Sequence, residues 1–303
     1  MEIRDIVADF GSEIDGIDLS QRLDPYTSMT LQKLLDERQL LVFRNQDITP
    51  EQQISVVETF GPVCDELDDG KRWSLISSEV TELVPRGIEL IMHSDFTFTP
   101  SPYPVISLYA LEISGPVVPT KFASPRSSYA RLPEDLREQL AGLTAIHAVD
   151  IRPGRSPEPR KRVTMLDVGP EVPESAFAKT EHPLLKTHPR TGEPIVFVNP
   201  MLTSHIKGMD AANSEATLQR CFDIIYEKTH MYEHQWRKGD LVVWDNLGMQ
   251  HGRDPEIPGG RRHLRRVAVN PWTMAQLMNN EGYAFVNEES AELWRDKLAA
   301  KAM

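Results

Sequence analysis

The spacing of its apolar runs constrains this chain most. From about residue 89 onward the runs are short, four to eight residues each: Glu89–Met92, Val105–Glu112, Thr120–Ala123, Pro194–Asn199, Leu241–Trp244 and about Arg265–Asn270. Runs of that length between turn residues read as strands rather than helices. Helical stretches fall between some of them: one starts at Leu132-Pro133-Glu134 and runs towards Leu143, and another is marked by Leu218, Cys221, Phe222 and Ile225. Regular βαβ alternation is missing, as is a glycine-rich phosphate loop, so a nucleotide-binding sheet has little support. The pattern predicts a mainly β fold with flanking helices, closed or in two sheets.

The first segment, about residues 1–45, reads as short strands followed by a helix. Leu31, Leu34 and Leu35 share one helical face, and Leu40-Leu41-Val42-Phe43 reads as a buried strand. Thr49 followed by Pro50 and Gln52 is a helix start: a hydroxyl cap, a proline at the first position and a capping-box glutamine. Ile54, Val57 and Phe60 form the apolar stripe before Gly61-Pro62 ends it. About residues 64–90 read as polar and irregular. Residues 150–180, rich in Pro, Arg and Glu, read as a long surface loop of the kind that forms lids. Residues 285–303 read as a charged helix. The expectation is one domain over 1–303, with a loop insertion at about 150–180 and a C-terminal helical extension at about 273–303.

Composition narrows the partners. A formal net charge of -12 repels phosphate backbones, so nucleic acid is not an expected partner. Two cysteines far apart, Cys64 and Cys221, make neither a disulfide framework nor a metal spacing, which suits a reducing compartment. The N-terminus has no basic and apolar signal pattern, and no apolar run is long enough to span a bilayer. A cytoplasmic protein is expected.

The chemistry-bearing residues lie in three places. In His93-Ser94-Asp95 an imidazole and a carboxylate sit two apart, and on a strand both project to one face. One more histidine would complete a facial triad with open positions on Fe(II). An H-x-D triplet alone is common by chance. The second place is the strand Leu241–Trp244, the polar turn after it and His251 beyond. Seven other histidines compete (147, 182, 188, 205, 230, 234 and 263), and they read as surface or turn residues. The third is Arg261-Arg262-His263-Leu264-Arg265-Arg266, where alternation puts Arg262, Leu264 and Arg266 on one strand face and Arg261, His263 and Arg265 on the other. A buried arginine needs an anionic partner, and a planar guanidinium pairs well with a carboxylate.

Together these residues resemble the TauD/TfdA family of Fe(II)/2-oxoglutarate dioxygenases, over about residues 10–272. Gly11 through Ser20, Leu41-Val42-Phe43-Arg44-Asn45-Gln46 and Phe60-Gly61-Pro62-Val63 are similar to the family opening. His93-Ser94-Asp95 is similar to its H-[TS]-D motif, His182 through Asn199 to its HPL…THP…FVN stretch, and Trp244-Asp245-Asn246 followed by His251 to its second metal motif. Met92 stands where the family usually has Trp, and Val117-Val118-Pro119 replaces Gly-Gly-Asp before Thr120.

The resemblance implies a double-stranded β-helix, a cupin-like jelly roll with helices outside. It implies Fe(II) held by His93, Asp95 and His251, with 2-oxoglutarate and O2 as co-substrates and succinate and CO2 released. Arg262, eleven residues past His251, and Thr120 would bind the distal carboxylate of 2-oxoglutarate, and Arg266 an anionic group of the substrate. The RRxLRR run is closer to aryloxyalkanoate-type members than to taurine-type ones. Hydroxylation of a small anionic molecule is the expected reaction, with desaturation or cleavage of a natural-product intermediate as the alternative. A non-catalytic metal-binding protein of the same fold, a zinc hydrolase and a nucleic-acid demethylase are the rival classes. A homo-oligomer is expected, the C-terminal extension docking on a neighbour or covering its own barrel.

Overall fold

In a computed structural model the described residues are 1–78, 89–150, 165, 177–274 and 276–277. The chain opens with the hairpin β1 (Glu2–Asp5) and β2 (Ser12–Asp15). Helix α1 (Pro25–Arg38) follows, capped by Asp24, whose side chain accepts from the Tyr26 and Thr27 amides. Gln39, in the left-handed region at φ 66°, ends it and turns the chain into β3 (Leu40–Phe43). Helix α2 (Pro50–Val57) carries the capping box predicted at Thr49 and Gln52.

Next come β4 (Ser74–Ser77), β5 (Leu90–His93), β6 (Val105–Ser114) and β7 (Thr120–Ala123). Helices α3 (Pro125–Ser128) and α4 (Glu134–Leu140) lead to β8 (Thr144–Asp150), β9 (Phe177–Pro183), β10 (Leu185–Thr187), β11 (Pro194–Val196) and β12 (Thr203–Ile206). Helix α5 (Ala211–Ile225) precedes β13 (Met231–His234), β14 (Leu241–Asp245), β15 (Gln250–Arg253) and β16 (Arg261–Val269).

The strands make a cupin-like jelly roll. Its major sheet has the order β1-β2-β3-β14-β6-β16-β4, and its minor sheet β13-β7-β15-β5. The sheets enclose a core to which the major sheet contributes Val42, Ile106, Leu108, Trp244 and Leu264, and the minor sheet Phe122. On the outer face of the major sheet Leu41, Phe43, Val243 and Val267 pack against Leu31 and Leu35 of α1 and Ile54 and Val57 of α2. Strand β3 is therefore buried on both faces, which is why Leu40–Phe43 is apolar throughout rather than alternating. Helices α4 and α5 cover the other side through Leu136, Leu140, Leu218 and Phe222.

Several expectations need correction. The stretch at 64–90 contains a strand, β4, paired with β16 through His263–Arg266. Strands β8, β10, β12, β13 and β15 are additions to the pattern read from apolar runs. Within the loop expected at 150–180, Asp150 closes β8 and residues 177–180 open β9. Residues 151–164 and 166–176 of that loop lie outside the described residues, and so does the helix expected at 285–303. The last strand starts at Arg261, earlier than expected. No helix among the described residues is long and apolar enough to cross a membrane. Both cysteines are free and buried.

Candidate metal centre

The minor sheet brings the two ends of the chemistry together. His93 is the last residue of β5 and lies in register opposite His251 on β15. Their ring centroids are 4.4 Å apart. His251 is therefore a strand residue, not a residue beyond a strand end. Asp95 follows the end of β5, and each of His93, Asp95 and His251 offers a ligand atom within 4.8 Å of the others. His93 Nδ1 bonds to the Ile91 carbonyl at 2.8 Å, so its Nε2 faces Asp95 Oδ1 at 2.9 Å. Gly252 lets β15 approach β5: a Cβ there would lie 2.7 Å from the Leu90 oxygen and 2.8 Å from Met92 Sδ.

The motifs around the triad hold the Asp95 loop in place. Asn246 Oδ1 accepts from the Asp95 amide at 2.9 Å, and its Nδ2 donates to the Asp95 and Tyr103 carbonyls at 3.0 and 2.8 Å. Ser94 Oγ donates to the Met249 carbonyl at 2.8 Å. Downstream, His182 Nε2 donates to the Thr97 and Thr99 carbonyls, both at 3.0 Å, while its Nδ1 accepts from Lys186 Nζ at 3.1 Å. Asn199 Nδ2 reaches Thr97 Oγ1 at 3.2 Å. Asp245 is fully buried beside His188 Nε2, 2.8 Å away. Trp244 packs its ring 4.9 Å from that of His251. His147, His182, His188 and His234 are all buried, where surface or turn placement was expected for most of the competing histidines. Buried groups of this kind require hydrogen-bond partners, which is the physical content of the motifs.

Electrostatics tune the triad for a cation. Burial alone would raise the Asp95 carboxyl, but the Arg266 charge and the His93 hydrogen bond outweigh it and hold the group well below the usual carboxylate range. Burial, with the neighbouring His93, pushes His251 down to about 3. A neutral imidazole and an ionised carboxylate are the forms a metal needs. His251 Nδ1 is buried with no hydrogen-bond partner among the described residues.

The arginines of β16 divide between faces as alternation predicts. Arg265 points outward, where Nε donates to Gln53 Oε1 at 2.7 Å and Nη2 to the Ile48 carbonyl at 2.8 Å, with Tyr109 below the guanidinium. Arg266 points inward: Nη1 forms an ion pair with Asp95 Oδ2 at 2.8 Å, and Nε and Nη2 donate to Glu66 at 2.9 and 3.0 Å. Arg262 is buried, with Nη2 2.9 Å from Glu256 Oε1 and Nε without a hydrogen-bond partner among the described residues. Arg253 lies 3.7 Å from the same Glu256 oxygen. Thr120, also buried, accepts from Trp236 Nε1 at 2.9 Å. The structure thus joins Arg266 to the triad, and places Arg262 and Thr120 in separate hydrogen-bonded groups. Glu66, Glu256 and the role of Asn246 were missed. The rule that a buried arginine needs a carboxylate predicted that a Glu66 must exist, but not where.

A jelly roll with two histidines and one carboxylate converging at the inner end of its strands defines the facial-triad class of non-haem iron proteins. The chain belongs to the TauD/TfdA family: the family model described as taurine catabolism dioxygenase TauD, TfdA family, matches residues 2–268. Its similarity extends to the alpha-ketoglutarate-dependent 2,4-dichlorophenoxyacetate dioxygenase of Cupriavidus pinatubonensis, 29% identical over 86% of this chain and 94% of that one. Pentalenolactone F synthase of Streptomyces avermitilis is 30% identical, covering 86% and 93%. A taurine dioxygenase from Burkholderia xenovorans shares the fold with a TM-score of 0.72 at 25% identity, covering 88% of this chain and 90% of that one. The protein is a 2-oxoglutarate-dependent dioxygenase, a class that uses Fe(II), 2-oxoglutarate and O2.

Proposed function

We propose that the protein hydroxylates a small anionic organic molecule, with release of succinate and CO2. The observation that carries this reading is the convergence of His93, Asp95 and His251, with His251 kept neutral and Asp95 ionised. Relatives named for a chlorophenoxyacetate and, in Pseudomonas putida, for a sulfate ester support the substrate class.

In this reading His93, Asp95 and His251 hold Fe(II), which supplies the oxidising chemistry when bound with 2-oxoglutarate and O2. Arg262, whose buried Nε has no hydrogen-bond partner among the described residues, fits the distal carboxylate of 2-oxoglutarate, with Thr120 as a second contact. Glu256, now on Arg262 Nη2, shares that guanidinium with the incoming carboxylate or yields it. Arg266, 2.8 Å from Asp95 Oδ2, holds that carboxylate in place. The apolar core behind the triad, with Phe122 and Trp244 against His251, excludes water. Desaturation or cleavage by the same site is the second reading, and product analysis separates the two. A second copy of the chain is the proposed macromolecular partner.

The test is anaerobic titration of the Fe(II) protein with 2-oxoglutarate, comparing wild type with Asp95→Ala and Arg262→Ala. A weak visible charge-transfer band in wild type, lost or weakened in the variants, is the expected result. Its absence from iron-loaded wild type would sink the reading and favour a non-catalytic metal-binding protein.

A further inference from the structure

Glu66 is a buried carboxylate that no part of the proposed chemistry uses. It lies 200 residues from Arg266 in sequence, yet it takes the Nε–Nη2 edge of that guanidinium, at 2.9 and 3.0 Å with a longer contact of 3.2 Å. Ser74 Oγ, 3.4 Å away, is its other hydrogen-bonding neighbour. Both Glu66 and Arg266 are 5% exposed. The remaining Nη1 pairs with Asp95 Oδ2, 2.8 Å away. One positive charge therefore faces two carboxylates. The end-on Nη1–Nη2 edge is what remains, and Asp95 already lies against Nη1. A guanidinium in this state is a poor anchor for a third anion, because its charge is already balanced and its better edge is taken.

A neutral polar handle lies alongside. The Tyr103 hydroxyl is buried without a hydrogen-bond partner among the described residues. It interacts electrostatically with Glu66, Cys64, Arg266 and Asp95, so it belongs to the same cluster. The Tyr103 ring stacks on Phe96, centroids 4.4 Å apart, immediately after Asp95. An unpaired hydroxyl in such a place takes a neutral carbonyl, amide or ether oxygen as readily as a carboxylate.

Resting on the proposed reading of the site, we propose that Glu66 is its specificity residue. By covering Arg266 it removes the grip on a substrate anion. The site then recognises the substrate by its apolar body and one oxygen, and binds an acid and its neutral amide with similar affinity. This separates the chain from a site in which the second arginine stands free.

The experiment compares phenoxyacetate with phenoxyacetamide as probes of the Fe(II), 2-oxoglutarate-loaded protein under argon, in wild type and Glu66→Gln. The glutamine side chain would keep one acceptor for Arg266 and lose the charge. Binding is read from quenching of tryptophan fluorescence and, independently, from the shift of the visible band. Wild type is expected to bind the two probes within threefold of each other, and Glu66→Gln to favour the acid by tenfold or more. A loss of packing alone would weaken both probes and leave their ratio unchanged. A wild-type preference for the acid of tenfold or more overturns the proposal, and so does a ratio unmoved by Glu66→Gln. Failure of Glu66→Gln to bind the acid overturns it as well, since an Arg266 freed of the Glu66 charge must hold an anion. If the 2-oxoglutarate band never appears, the oxygenase reading fails, while the fluorescence ratio still judges Glu66.

Discussion

Asn246→Ala tests whether the second motif serves the metal rather than the fold at large. Asn246 is fully buried and makes three hydrogen bonds of 2.8 to 3.0 Å, two of them to the backbone of Asp95. At about 1 kcal/mol for each bond the direct loss is roughly 3 kcal/mol, and more where the Asp95 amide and the two carbonyls stay buried without partners. At about 2 °C for each kcal/mol in a large domain, the metal-free protein should melt roughly 6 °C lower. The larger effect should fall on the metal. With the Asp95 backbone released, the carboxylate is no longer held against His93 and His251, and supporting residues of this kind are typically worth about 10- to 100-fold in affinity. Calorimetric titration with Co(II), beside a thermal melt of the metal-free protein, measures both quantities. A variant that melts lower but binds the cation as wild type does would refute the reasoning, because Asn246 would then be a general packing residue.

Gly252→Ala should separate β15 from β5, since the new methyl would meet the Leu90 oxygen and Met92 Sδ; at least a tenfold loss of Co(II) affinity is expected by the same titration. Arg265→Ala should destabilise the fold by about 2 kcal/mol through lost hydrogen bonds to Gln53 and Ile48, yet leave 2-oxoglutarate affinity intact. Arg262→Ala should do the reverse, and equal effects of both on affinity would refute the assignment of faces. Burial opposes ionisation of Asp245, but the His188 hydrogen bond and charge win and depress its pKa. Its stabilising contribution is therefore present above the unfolded carboxylate value of about 4 and is lost as pH falls below it. Asp245→Asn should lower stability at neutral pH and flatten the acid limb of urea-melt stability against pH; a limb of unchanged slope would show that Asp245 does not titrate there.

Local chemistry explains which elements were readable. The caps at Asp24 and Thr49 satisfy helix ends within a few residues, so their signal is local. Strands β3, β6, β7 and β14 are apolar enough to announce themselves. Strand β15 reads Gln-His-Gly-Arg, all buried, because it carries the site rather than the core; polarity concealed it. Strand β4 was hidden likewise, since Ser74–Ser77 is half polar and becomes a strand only by pairing with β16. The alternation along Arg261–Arg266 was legible because a period of two follows from the backbone alone.

From the order of its residues alone, this chain determined its strand-rich class, its helix starts, the H-x-D pair and the division of the β16 arginines between two faces. These depend on neighbours along the chain. Only the tertiary structure decided that His251 sits across from His93, that Asn246 holds Asp95, and that Glu66 rather than a free edge meets Arg266. Those partners lie between about 150 and 200 residues apart, and a buried charge or amide dictates that a partner must exist without dictating where in the sequence it stands.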